Sequence, residues 1–298
     1  MTSLQAVPIL LSLASALMFA VTFVLVKITG QNVSSLAALC VTLTTNVVTL
    51  WGWSLLSAQE SISISIEWGY FAIAGIFAPL MGRFFQFQGM AKLGANITTP
   101  LTLTHPVVTV LFAVIFLGET LRIEIIVGVL MVLFGSLLLG AQNGNHPKNV
   151  SEVSKKYLLF PLAASFTYGV SVVFRKAGID IGTDAVTAAA VTTTSSWLVL
   201  SIYLVAFRPA HALILCHTEF VTLVIAGIFS SIGPVLLYMA LQKGHIAIIA
   251  PLAATTPFFV LLITFLFMRD NETFSVWIII GTLFTVLGSS FMAYIGMS

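Results

Sequence analysis

Long apolar stretches separated by short polar connections run along the whole chain. They fall at 7–27, 34–56, 68–90, 95–117, 122–140, 157–177, 184–207, 217–241, 246–268 and 274–296. Each holds about 20 residues, enough at 1.5 Å rise per residue to cross about 30 Å of hydrocarbon as a helix. The pattern predicts an all-α integral membrane protein with ten transmembrane helices, lying almost entirely within the lipid bilayer. The longest polar interval, AQNGNHPKNVSEVSKK at 141–156, carries Gly, Pro, Asn and three lysines and reads as a linker between units 1–140 and 157–298.

The two units resemble each other. Ala14 to Lys27 reads ASALMFAVTFVLVK, and 149 positions later Ala163 to Lys176 reads AASFTYGVSVVFRK. IAGIF recurs at Ile73 to Phe77 and Ile225 to Phe229, Pro100 and Pro106 fall opposite Pro251 and Pro257, and Gly128 and Gly135 opposite Gly281 and Gly288. Five spans per unit is an odd number, so the second unit enters the membrane in the opposite direction: two inverted five-helix repeats. In such proteins the substrate sits between the halves near mid-bilayer, and the halves exchange roles as open and closed gate.

Composition narrows the chemistry. With 59% hydrophobic and 7% charged residues, the chain is far from soluble usage, and a net charge of +2 without a basic run gives no reason to expect nucleic acid. Cys40 and Cys216 fall within or beside spans and read as packing residues. No cleavable signal is evident, because the amino terminus lacks a basic n-region and the first stretch aligns with the sixth. All ten acidic residues lie in loops or at span ends. That counts against a pump exchanging a proton for a lipophilic cation at a buried carboxylate. Nothing calls for a cofactor or a metal: there is no HExxH, no GxSxG and no grouping of acids with histidines at membrane depth, so an enzyme is disfavoured.

Among the cations Arg83 stands apart, inside the third span and roughly 13 Å from the hairpin near Lys92. A guanidinium there costs at least about 2.5 to 3.5 kcal/mol to insert, so it needs a partner or a wet cavity. Its fork suits a carboxylate or phosphate, and the alternative is a brace at a kink near Pro79 and Gly82. The corresponding place in the second unit, near Pro234 and Val235, is uncharged. His105 lies mid-span among Thr98, Thr102 and Thr109, which recur at helical spacing as one polar stripe. A histidine exchanges a proton near neutral pH, which admits protons as a coupling ion; as commonly, a membrane histidine is a hydrogen-bonded packing residue. Thr256 is its counterpart. Asn46, Gln86, Tyr168 and Tyr238 are further polar groups inside spans, candidates for substrate contact or interhelical bonding. Pro100, Pro106, Pro251 and Pro257 interrupt main-chain bonding at matched places, as gating or substrate-lining helices do.

These residues resemble the drug/metabolite transporter superfamily, as two EamA-type half domains. The likeness rests on the span-one pattern ending at Lys27 and Lys176, the stretch from Gly82 to Ala95, Pro106 with the following Gly118-Glu119, and Gly128 and Gly135. In the second unit Tyr238, Ala240, Leu241, Pro257, Gly281 and Gly288 fit, whereas Met268 to Glu272 stands where a second Gly-Glu is expected. The resemblance implies a central cavity from spans one to four and six to nine, spans five and ten at the periphery, a bacterial inner (plasma) membrane, and cytoplasmic termini. Loop charges alone point the other way, seven basic residues opposite the termini against four beside them. The expected activity is export of a small metabolite such as an amino acid or organic anion. Arg83, Gln86, His105, Tyr168, Tyr238 and Thr256 would line the site; the alternative is an exporter of neutral or aromatic compounds in which Arg83 is structural.

Overall fold

The computed structural model describes residues 3–29, 33–57, 65–93, 98, 101, 102, 104–118, 123–141, 155–207, 215–253, 255–267, 276, 277, 280, 281, 283, 284, 287, 288 and 291. The apolar stretches become helices: α1 (Ser3–Ile28), α2 (Ser35–Ser57), α3 (Glu67–Gly75), α4 (Gly82–Leu93), α5 (His105–Leu117) and α6 (Ile123–Ala141). After the polar interval come α7 (Leu159–Ile179), α8 (Ala185–Phe207), α9 (His217–Lys243), α10 (Ile246–Ala253) and α11 (Thr256–Phe267). No strand occurs among the described residues. Among the described residues, six stretches are long and apolar enough to cross a membrane: Ala6–Ile28, Leu36–Leu56, Glu67–Gln86, Lys156–Ile179, Ala185–Phe207 and His217–Lys243. His105–Leu117, Ile126–Gly135 and Phe258–Phe267 are shorter apolar helices within expected spans four, five and nine. Pro100, linker residues 142–154 and most of span ten lie outside the described residues.

The packing is that of a membrane protein. Large apolar side chains face outward, among them Val48, Leu56, Phe116, Ile202, Val205 and Phe267, while the interior is rich in Ala, Ser and Thr. Small residues let helices approach closely where lipid supplies no hydrophobic drive between them. Interior hydroxyls bond back to the preceding turn, as Thr42 does to the Ala38 carbonyl at 2.7 Å, or across helices, as Ser15 does to the Gly233 carbonyl at 2.7 Å. Cys40 is half-buried and Cys216 exposed.

Two of the expected spans are broken near their middle. Between α10 and α11 the chain turns at Thr255, whose N–H and hydroxyl both donate to the Leu252 carbonyl, at 3.1 and 2.7 Å. Ahead of α5, Thr104 does the same to the Leu101 carbonyl, at 3.3 and 2.7 Å. Pro106 and Pro257 explain both turns, because neither supplies the N–H that the carbonyl four residues back would take. His105 Nδ1 lies 3.3 Å from the Thr102 carbonyl and the Thr256 hydroxyl donates to the Ala253 carbonyl at 2.9 Å, so each side chain before the proline fills the gap. Pro251 lies inside α10 rather than at its end.

The third span is also interrupted. Ile76–Met81 widens into a π-type segment in which Ala78 is extended (φ −155°, ψ 128°), ahead of Pro79. The carbonyls loosened there are taken up from outside the span. Ser171 donates to Ala74 at 2.8 Å, Ser196 to Gly75 at 2.8 Å and Ser195 to Ala72 at 3.0 Å. This fixes α3 against α7 and α8.

The largest apolar cluster lies at one end of the helix set. It collects Leu50 from the end of α2, Phe71 from the start of α3, Ile179 from the end of α7, Ala188 and Ala189 from the start of α8, Leu237 and Leu241 from the end of α9, and Ile246 and Ile249 of α10.

At the crossing of α3 and α8, a Cβ built on Gly75 would collide with the Thr192 main-chain carbonyl and the Ser195 hydroxyl. Gly52 has nothing within 4 Å of the same construction. Gly75→Ala is therefore expected to destabilise by about 1 to 3 kcal/mol. Gly52→Ala should be neutral or stabilising by up to about 1 kcal/mol. Melting in detergent checks the pair, and equal shifts would contradict the close crossing.

Candidate functional site

α4 begins immediately after the break in the third span and carries Arg83 and Gln86 one turn apart on its inner side. Both are buried, at 8% and 5% exposure. Arg83 Nη2 donates to the Ser230 hydroxyl of α9 at 3.2 Å. Ser230 is held in turn by Asn46 of α2. With the Asn46 amide nitrogen facing the carbonyls of Thr42 and Gly227, at 2.8 and 2.6 Å, its oxygen accepts from Ser230 at 2.9 Å. The bonds then run with one polarity, from guanidinium to hydroxyl to amide to main chain, and tie α2, α4 and α9 together.

On the other side of α4, the Tyr168 hydroxyl of α7 donates to Gln86 Oε1 at 3.0 Å. Tyr168 reaches it because position 82 has no side chain; a Cβ there would fall 3.0 Å from the ring. The His105 ring centroid lies 6.0 Å from that of Tyr168. The structure thus brings Arg83, Gln86, Tyr168 and His105 into one continuous set drawn from α4, α5 and α7. The threonines flanking His105 are buried, and Thr109 donates to the Gly169 carbonyl at 3.3 Å.

Tyr238 and Thr256 sit elsewhere. Tyr238 is fully buried, meets Phe71 edge to face at 5.6 Å, and shares a hydrogen bond with the Thr192 hydroxyl. Thr256 makes the turn bond already described. Among the described residues no hydrogen bond or ring contact joins either to the Arg83 set.

Arg175 is the residue that sequence reasoning placed differently. Next to Lys176 at the end of a span it reads as a loop charge, yet α7 continues to Ile179 and Arg175 is only 7% exposed. Nη2 donates to the Ala78 carbonyl at 2.9 Å, Nε to Ser171 at 3.2 Å, and the guanidinium lies 5.5 Å above the Tyr238 ring. It fills the break in the third span with a cation. The available signal was the repeat: position 26, its counterpart, is Val26, an apolar residue inside span one.

Buried charge is one-sided. The buried polar residues described include Arg83 and Arg175 but no Asp or Glu, and the two guanidiniums are within electrostatic reach of each other. Arg175 is braced by a carbonyl and an aromatic face. Arg83 has a neutral hydroxyl, which leaves a buried cation without a charged partner among the described residues. An anion there would be favoured by charge and by the bidentate geometry of the guanidinium.

The model of the EamA-like transporter family matches residues 6–141 and 155–294. An uncharacterized protein of Methanocaldococcus jannaschii is 29% identical over 73 residues, which is 24% of this chain and 53% of the relative. The chain thus spans about half the length of that curated relative. A solved crystal structure superposes with a TM-score of 0.80 at 17% identity, covering 97% of this chain and 98% of the other, which is a likeness of fold.

Asn46→Leu would remove the amide that ties Thr42 and Gly227 to Ser230 and leave the buried Ser230 hydroxyl without that acceptor. The expected cost is about 1 to 3 kcal/mol. It is read as a lower melting temperature than Thr222→Leu, since the exposed Thr222 hydroxyl bonds back within its own helix at 2.9 Å. Equal melting of the two variants would deny Asn46 its place as the hub.

Proposed function

Because the chain belongs to the EamA-like transporter family of the drug/metabolite transporter superfamily, we propose that this membrane transporter carries a small carboxylate-bearing metabolite, such as an amino acid or organic anion. The observation that supports this most is the buried Arg83 with a hydroxyl and no carboxylate as its described partner. The substrate carboxylate takes the guanidinium fork, Gln86 and Tyr168 orient it, and His105, whose Nδ1 is committed to the Thr102 carbonyl, offers Nε2 to the site. Tyr238 contributes through Arg175, and Thr256 by shaping the break between α10 and α11. The turns at Pro106 and Pro257 serve as bending points.

In this reading the ten expected spans form two inverted five-helix repeats and transport proceeds by alternating access between them, outward from the cytoplasm, where the termini lie. The site is in a bacterial inner membrane, and a proton on His105 is the candidate coupling ion. A second reading takes the bond from Arg83 to Ser230 as a brace and assigns the protein to neutral or aromatic compounds.

Ligand-dependent melting separates the two. Amino acids, organic acids and aromatic amines are screened against wild type and Arg83→Gln in detergent, since a ligand that prefers the folded state raises its apparent stability. Carboxylate-bearing ligands are expected to raise the wild-type melting temperature and to lose that effect in the variant. Equal stabilisation of both proteins by neutral or cationic aromatics would replace the first reading with the second.

A further inference from the structure

Arg83 and Arg175 are both presented between the third span, α7 and α9. On α7, Tyr168, Ser171 and Arg175 recur at i, i+3 and i+7 and so share one face. That face meets the third span along its length: Tyr168 bonds Gln86 at 3.0 Å, Ser171 the Ala74 carbonyl at 2.8 Å and Arg175 the Ala78 carbonyl at 2.9 Å. α9 lies against both cations, with Ser230 accepting from Arg83 and the Tyr238 ring beside Arg175. Ser230 and Tyr238 are eight residues apart, about 12 Å by helical rise, so the two guanidiniums address separate levels of one helix. The Tyr168 ring is within electrostatic reach of both.

Neither guanidinium is saturated. Arg83 donates through Nη2, and Arg175 through Nε and Nη2, which leaves Nε and Nη1 of the first and Nη1 of the second without an acceptor among the described residues. Buried donors without acceptors are costly, so these atoms are suited to a ligand. The charge inventory decides which ligand. Two buried cations stand without a buried Asp or Glu among the described residues. One carboxylate neutralises half of that charge. A zwitterion has no net charge to offer, and its ammonium would enter a site that already repels cations and has no described carboxylate to receive it. Two carboxylates neutralise both.

We infer that the carried molecule is a short dicarboxylate, held at one end by Arg83 and at the other by Arg175. The inference rests on the Arg83 reading above and narrows it from carboxylates in general to diacids. Arg175 then has two tasks: Nε and Nη2 brace the break in the third span, and Nη1 takes the second carboxylate. Two levels suit two separated anionic groups better than one compact phosphate, because each guanidinium is fixed by its own neighbours and the pair cannot converge on a single centre.

The test compares ligands of one size and different charge on the full chain in detergent at neutral pH, with apparent affinities read from ligand-dependent melting. The probes are succinate and glutarate, their half-amides succinamate and glutaramate, inorganic phosphate, and the free amino acid alanine. A half-amide keeps the length and one carboxylate and loses the second charge. In the wild type a diacid is expected to bind about tenfold or more tighter than its half-amide, the worth of one charged hydrogen-bonded contact. Arg175→Gln should bring the two within about threefold of each other. Arg83→Gln should weaken diacid and half-amide alike. Equal affinity for diacid and half-amide in the wild type, or tighter binding of phosphate or alanine, overturns the dicarboxylate, and the Arg83 reading outlives it if Arg83→Gln still loses the half-amide. A ratio that Arg175→Gln leaves unchanged overturns the second arginine's part. If that variant does not fold, Arg175→Lys, which keeps the charge and loses the fork, is expected to lower the ratio, and an unchanged ratio there has the same force. Failure of every carboxylate to stabilise the wild type ends both readings.

Discussion

In hydrocarbon no water is available to take up a main-chain carbonyl, so each interruption of a spanning helix must be answered by another part of the protein. The structure is organised around those answers. Where the third span opens at Ala78, its carbonyls are taken by Ser171, Arg175 and Ser196 from the following unit. At the Thr104 and Thr255 turns, the residue before each proline closes the gap locally. Two kinds of break result. One is stitched within its own segment, and the other depends on helices α7 and α8, so it cannot move independently of them.

The cations follow from the same constraint. Arg175 is tolerated in the interior because it fills a broken segment and lies on an aromatic face, where the ring offers its negative side. Arg83 occupies a comparable depth with less to hold it, and its orientation depends on a relay through Ser230 to Asn46. The two arginines therefore differ in what holds them, a main-chain carbonyl and an aromatic face for Arg175 and a side-chain hydroxyl for Arg83. The energetic issue is desolvation: a guanidinium removed from water needs acceptors, and a single hydroxyl supplies few.

One end of the helix set combines a broad apolar cluster, hydrogen bonds between α2 and α8, and a lysine shared between a carboxylate and a helix end. The Lys176–Asp180 pair is half-exposed and adds little, whereas the close approach of α3 to α8 at Gly75 leaves no room for a side chain.

Membrane residence, helical class, the internal duplication and the family resemblance were legible in the sequence, because lipid imposes a length and a polarity that can be read position by position. Arg83, Gln86, Tyr168 and His105 were legible as isolated polar residues for the same reason: each is costly in lipid and must have a use. What only the tertiary structure decided is which of them meet. Tyr168 reaches Gln86 over a glycine from another helix, Asn46 becomes a hub through carbonyls on two helices, and Tyr238 turns away to support Arg175. Spacing along a chain sets which residues share a helix face, but not which face of which neighbour it meets. Arg175 shows the limit most clearly, since its depth depends on where α7 ends and on a vacancy in a span nearly 100 residues away.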